Sequence, residues 1–122
     1  MFDHVVIGVS DYAASKAFYL QALAPLGVTA IAENALGLEM SDGGQASFAI
    51  FQAADKPAPL HLAFAAATRD QVDAFHRAAL AAGARDNGAP GLRPQYNANY
   101  YAAFVIGPDG HNVEAVCHAS VA

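Results

Sequence analysis

Hydrophobic positions along this chain follow strand-like and then helix-like spacing, and the chain runs through that order twice. Residues 2–9, FDHVVIGV, are rich in Val and Ile and predict a strand. Ser10 or Asp11 then offers an N-cap for a helix over 12–24, which Pro25 and Gly27 close. Strands over 28–33 and 36–40, joined by a turn at Asn34, follow. The turn signal Asp42-Gly43-Gly44 comes next, and then a strand over 46–52. Residues 53–59, with two prolines, read as a linker. The second pass begins with PLHLAFAA and a strand over 60–66. Thr68, with Gln71 three places on, marks a capping box for a helix over 69–82. Ala84 and Arg85 start a short strand, and 87–99, NGAPGLRPQYNAN, reads as a long loop. A strand over 100–106, a Pro108-Asp109-Gly110 turn and a strand over 112–118 complete the pass.

With the second half set on the first at an offset of 57 residues, His4 falls on His61, Ala17 on Ala74, Phe18 on Phe75 and Leu23 on Leu80. Each half reads as strand, helix and about three strands. The expected fold class is therefore α+β: two βαβββ modules forming a cupped mixed sheet, within a single domain 1–122 made of module 1–56 and module 57–122.

Alternation assigns the faces. On the first strand His4, Val6 and Gly8 lie opposite Val5, Ile7 and Val9. On the fifth, His61, Ala63 and Ala65 lie opposite the bulkier Leu60, Leu62 and Phe64. Both histidines thus have the smaller companions, and small side chains on a sheet face leave room for a cavity. Glu114 sits within VEAVC, where a carboxylate is costly to bury unless it is paired or bound to a metal. His4, His61 and Glu114 make a 2-His-1-carboxylate set, which holds a divalent cation and leaves positions open for water and substrate. Mn, Fe, Co, Ni and Zn all suit such ligands. A lone strand histidine is more often structural, and Glu114 could equally pair with an arginine.

Composition narrows the partners. A net charge of −5 with six Lys and Arg argues against nucleic acid. No apolar run approaches the roughly 20 residues that cross a bilayer. The N-terminal residues carry no basic-then-apolar leader pattern, and a lone Cys117 suits a reducing compartment, so the expected location is cytoplasmic.

The segments DHVVIGVSDYAASKAFYLQALAPLG, HLAFAAATRDQVDAFHRAALAAGA and NYYAAFVIGPDGHNVEAVCH resemble the vicinal oxygen chelate superfamily, which includes glyoxalase I, extradiol dioxygenases and bleomycin resistance proteins. The resemblance implies paired βαβββ modules around a metal, with His4, His61 and Glu114 as ligands and a homodimer as the assembly. It implies a metal-dependent lyase or dioxygenase-type enzyme acting on a small oxygenated substrate. Glyoxalase I has a fourth ligand, a glutamate in the first module. Matching Asp42-Gly43 to Asp109-Gly110 puts Ser47 or Phe48 at that place, and neither is a good ligand. The alternative is a metal-free protein that sequesters a ligand, as bleomycin resistance proteins do.

Two further residues are candidates for catalysis. Tyr100 shares a strand face with Ala102 and Phe104, and either donates to a bound oxyanion or is a core tyrosine. Arg93 either clamps an anionic group or is an exposed loop charge. His76 is expected on a helix, in helix–sheet packing or in solvent, His111 exposed in its turn, and His118 about 13 Å along the strand from Glu114 at ~3.3 Å per residue. Cys117 reads as a small buried hydrophobe.

Overall fold

The computed structural model describes residues 1–120. The chain order is β1 (His4–Val9), α1 (Tyr12–Leu23), a 3-10 turn (Ala24–Leu26), β2 (Thr29–Asn34), β3 (Gly37–Ser41) and β4 (Ser47–Gln52). It continues with β5 (His61–Ala65), α2 (Arg69–Ala81), β6 (Arg85–Leu92), β7 (Tyr101–Ile106), a second 3-10 turn (Pro108–Gly110) and β8 (Asn112–Cys117). Each half folds as βαβββ, so the α+β class and the duplicated architecture hold. The strands form two four-stranded mixed sheets, ordered β1-β4-β3-β2 and β5-β8-β7-β6. In each the first strand pairs in parallel with the last, and the other pairings are antiparallel. Both histidine-bearing strands are therefore sheet edges. Among the described residues no helix is long and apolar enough to cross a membrane.

Local chemistry fixes the helix ends. Asp11 accepts from the Ala14 backbone N–H at 3.1 Å, so Asp11 and not Ser10 is the N-cap of α1. The chain leaves the following 3-10 turn through Gly27 at φ 83°, a left-handed conformation that favours glycine. Thr68 and Gln71 form the reciprocal capping box on α2.

The inward faces of both sheets share one core with the two helices. Tyr19 packs edge-on against Phe48, and Phe48 against Phe64, with ring centroids 5.1 and 5.3 Å apart, which ties the halves together. Val9, Leu38, Met40, Ile50, Phe75, Val105 and Val113 are buried around them. His4 and Val6 on β1, and His61 and Ala63 on β5, are exposed. The histidine-bearing faces are thus the ones turned away from the common core.

Two expectations need correction. Residues 87–99 are not one long loop, because β6 runs through Leu92. As an edge strand it tolerates Pro90, which has no N–H to donate, and its register shifts twice, between Asp86 and Gly88 and between Gly88 and Gly91. His111 is not exposed but fully buried. Its Nδ1 accepts the Leu60 backbone N–H at 2.8 Å, so the imidazole pins the segment that leads into β5. Leu60 itself is exposed, unlike Leu62 and Phe64, which pack against the core.

Candidate functional site

Glu114 is the centre of the site. In the β5–β8 ladder it lies beside Ala63, and in the β7–β8 ladder beside Phe104. His61, two residues before Ala63, shares its face. The His61 Nε2 stands 2.7 Å from Glu114 Oε1, and the Tyr100 hydroxyl donates to Oε2. Glu114 is only 1% exposed, whereas the His61 side chain is 55% exposed. Among the described residues no lysine or arginine pairs with this carboxylate. A buried carboxylate held only by an imidazole and a phenol is a donor set that suits a cation.

Tyr100 stays a phenol at neutral pH. Desolvation first, and then its hydrogen bond to Glu114, push its pKa up from 10.0 to about 12. Its ring contacts Tyr96 and His118, with centroids 4.9 and 5.2 Å away. His118 therefore touches the site through Tyr100, not through Glu114.

Arg93 is neither a free clamp nor an ordinary surface charge. Nη1 donates to the Gly91 carbonyl at 2.9 Å and Nη2 to that of Ala89 at 2.8 Å. The guanidinium carbon lies 5.4 Å from the centre of the Phe104 ring. Glycine at position 88 makes this packing possible: at its φ of 152°, a Cβ would fall 2.9 Å from Phe104 and 3.1 Å from Arg93 Nη2. Arg93 thus forms the back of an aromatic wall, Phe104 its front, and His61 stands beside it with ring centroids 6.1 Å apart.

His4 lies on the other sheet. Its Nδ1 is 2.6 Å from Asp3 Oδ1, and a carboxylate only accepts, so Nδ1 is the donor, and in the neutral ring Nε2 is the nitrogen left with the lone pair. The chain does not bring His4 to His61 and Glu114: among the described residues no three His, Cys, Asp or Glu side chains could hold one metal ion. Asp3 went unnoticed in the sequence, although an acidic residue directly before a candidate ligand was the available signal.

The place opposite Glu114 is also corrected. His4 pairs with Ser47 as His61 pairs with Asn112. The counterpart of Glu114, two residues on, is therefore Ala49 and neither Ser47 nor Phe48. Ladder pairing confirms this, since Ala49 faces Glu39 as Glu114 faces Phe104. The two Asp-Gly pairs misled because they sit at different points of their connecting turns. Of the other polar residues, His76 bonds Asp86 at 2.9 Å and Cys117 is buried, its thiol 3.6 Å from the Ala67 carbonyl.

These features define a class of protein, a duplicated βαβββ fold with an imidazole–carboxylate pair on a sheet face. Residues 1–115 match the family model of the Glyoxalase/Bleomycin resistance protein/Dioxygenase superfamily, and the chain belongs to that superfamily. The crystal structure of a glyoxalase/bleomycin resistance protein from Albidiferax ferrireducens T118 is similar at 33% identity and a TM-score of 0.81, over 96% of this chain and 98% of that one. A glyoxalase/bleomycin resistance protein/dioxygenase family enzyme from Burkholderia phytofirmans PsJN shares the fold at 21% identity and a TM-score of 0.74, over 96% and 98%. Oxidase ChaP-H2 shares it at 20% and 0.72, over 96% and 92%. No curated protein matches the chain.

Proposed function

We propose that this protein is a metal-dependent enzyme of glyoxalase or dioxygenase type, a cytoplasmic homodimer acting on a small oxygenated substrate. The single domain 1–122 is built from modules 1–56 and 57–122. His61 and Glu114 of one copy and His4 of another hold the divalent cation, one of Mn, Fe, Co, Ni or Zn. The observation that carries this reading is the buried Glu114 carboxylate with His61 Nε2 at 2.7 Å and, among the described residues, no lysine or arginine paired with it. A bound cation supplies Lewis acidity towards a substrate oxygen. Tyr100 holds its proton at neutral pH and gives it, as a hydrogen bond, to Glu114; it serves a developing oxyanion only by turning from that carboxylate to the substrate. Arg93 fixes the Phe104 ring that walls the site and adds positive potential behind it.

Elemental analysis of the purified protein, beside a His61→Ala variant, tests the reading. The expected result is about one divalent ion per chain in the wild type and none in the variant. Metal-free protein after incubation with Mn, Fe, Co, Ni and Zn salts would overturn it.

A second reading has its own support. Both oxygens of Glu114 already have protein partners, so the carboxylate needs no metal to satisfy them. A ligand-sequestering protein would use the same aromatic wall for binding alone. It predicts ligand uptake that chelators do not affect.

A further inference from the structure

A cleft of about 570 Å³ lies between the two halves, within the usual size range of small-molecule sites. Leu26, Met40 and Phe48 of the first half line it and are buried, so they form its floor. Phe48 stands edge-on to both Tyr19 and Phe64, with ring centroids 5.1 and 5.3 Å away, which fixes that floor in place. Phe2 and Leu60 also line the cleft and are exposed, so an occupant would cover apolar surface that now faces water.

The open edge of β5 runs through the cleft, and residues of both its faces border the space. Leu62 and Phe64 belong to the face packed against the core, and His61 and Ala63 to the outward face. Ala63 is the residue beside Glu114 in the β5–β8 ladder. The apolar space and the His61–Glu114 pair therefore meet at one strand edge. Among the described residues that line the cleft, Asp42 is the only carboxylate and none is lysine or arginine. An anionic group would find no partner there, whereas a neutral apolar group needs none.

Resting on the reading of His61 and Glu114 above, we infer that the cleft seats an unbranched alkyl tail of the substrate, whose oxygenated end lies at the His61–Glu114 pair. The space bends from one face of β5 to the other round its edge, a path that a flexible chain follows and a rigid ring system does not. The substrate class is thereby a hydroxy- or oxo-substituted alkyl chain.

The test is isothermal calorimetry with n-butanol, n-hexanol and n-octanol, which join one oxygen to tails of increasing length. Each two added methylenes are expected to tighten binding about fifteenfold, at ~0.8 kcal/mol per buried methylene, with an increasingly negative heat-capacity change. Ala46→Trp and Ala65→Trp put bulk into the cleft from exposed positions, and circular dichroism checks that each variant folds. Both are expected to bind n-octanol at least about tenfold more weakly. On Co(II)-loaded protein, n-octanol is expected to shift the visible absorption of the ion, because its hydroxyl arrives at the pair. Affinity that does not change with chain length, wild-type affinity in both tryptophan variants, or a Co(II) spectrum unmoved by bound octanol would overturn the tail site. So would an absence of octanol binding by the wild type beside a dimer that Ala46→Trp splits on sedimentation, since a second copy then fills the cleft. Protein that takes up no Co(II) but shows the full chain-length series would overturn the metal centre and leave the alkyl site standing.

Discussion

Replacing Tyr100 by Phe removes one hydroxyl from Glu114 and changes little else in shape. The carboxylate oxygen it served is buried, so the variant should lose about 1–3 kcal/mol of stability, seen as a lower urea midpoint with an unchanged slope. An unaltered midpoint would show that water takes the place of the phenol at no cost. Glu114 stood out in the sequence as a charge within the apolar run VEAVC, and Tyr100 as a polar residue sharing a face with Ala102 and Phe104; that they meet each other and His61 depends on strand pairing. Ala49 was not legible, since its match to Glu114 depends on which residues pair across strands. The Ser47–Glu39 hydrogen bond was hidden for a related reason: it joins side chains on neighbouring strands. Local spacing reports a residue's face and is silent about its lateral neighbours.

At the level of elements, the turn before β8 joins the halves. Ser10 donates to Asp109 from both its backbone N–H, at 3.0 Å, and its hydroxyl, and Asp109 itself adopts a left-handed conformation at φ 63°. Two residues on, His111 anchors the entry to β5. Desolvation holds the His111 pKa below its ordinary 6.5, with nearby Asp109 offsetting part of the effect. The unfolded chain therefore takes up this proton more readily than the folded one. Stability is full above about pH 6.5, falls as pH drops from there towards the lower folded-state value, and levels off below it. Urea midpoints measured between about pH 7.5 and 5 should show this slope. His111→Asn, whose amide oxygen can replace Nδ1 as the acceptor from Leu60, should flatten it. An equal slope in the variant would assign the effect to other groups. The helices could be read from their caps and spacing. β6 could not, because its Gly, Pro and Asn residues give loop signals, and only its partner β7 makes it a strand.

For the whole molecule, the outward-turned histidine faces and the open edges of β1 and β5 carry a prediction about assembly. If each centre takes His4 from one copy and His61 from another, neither His4→Ala nor His61→Ala alone retains metal. Mixed and allowed to exchange subunits, they should regain it in one site of each mixed dimer, as symmetry requires. Elemental analysis of the mixture checks this, and a mixture as empty as its parents would place each centre within a single chain. The duplication was visible at once in the repeated spacing. The direction each sheet faces was not, because it depends on helix and sheet packing between the halves.

The inequality between positions 49 and 114 has a consequence for whatever the protein holds. Two identical halves would offer a guest the same surroundings from either end, and it could bind in two reversed poses. Here one wall carries Ala49, Ser47 and Glu39, and the other carries Glu114, Tyr100 and Phe104. The duplicated fold has thereby lost the equivalence of its halves: on the proposed reading, a guest held between the two faces meets unlike ends, which favours one orientation over its reverse.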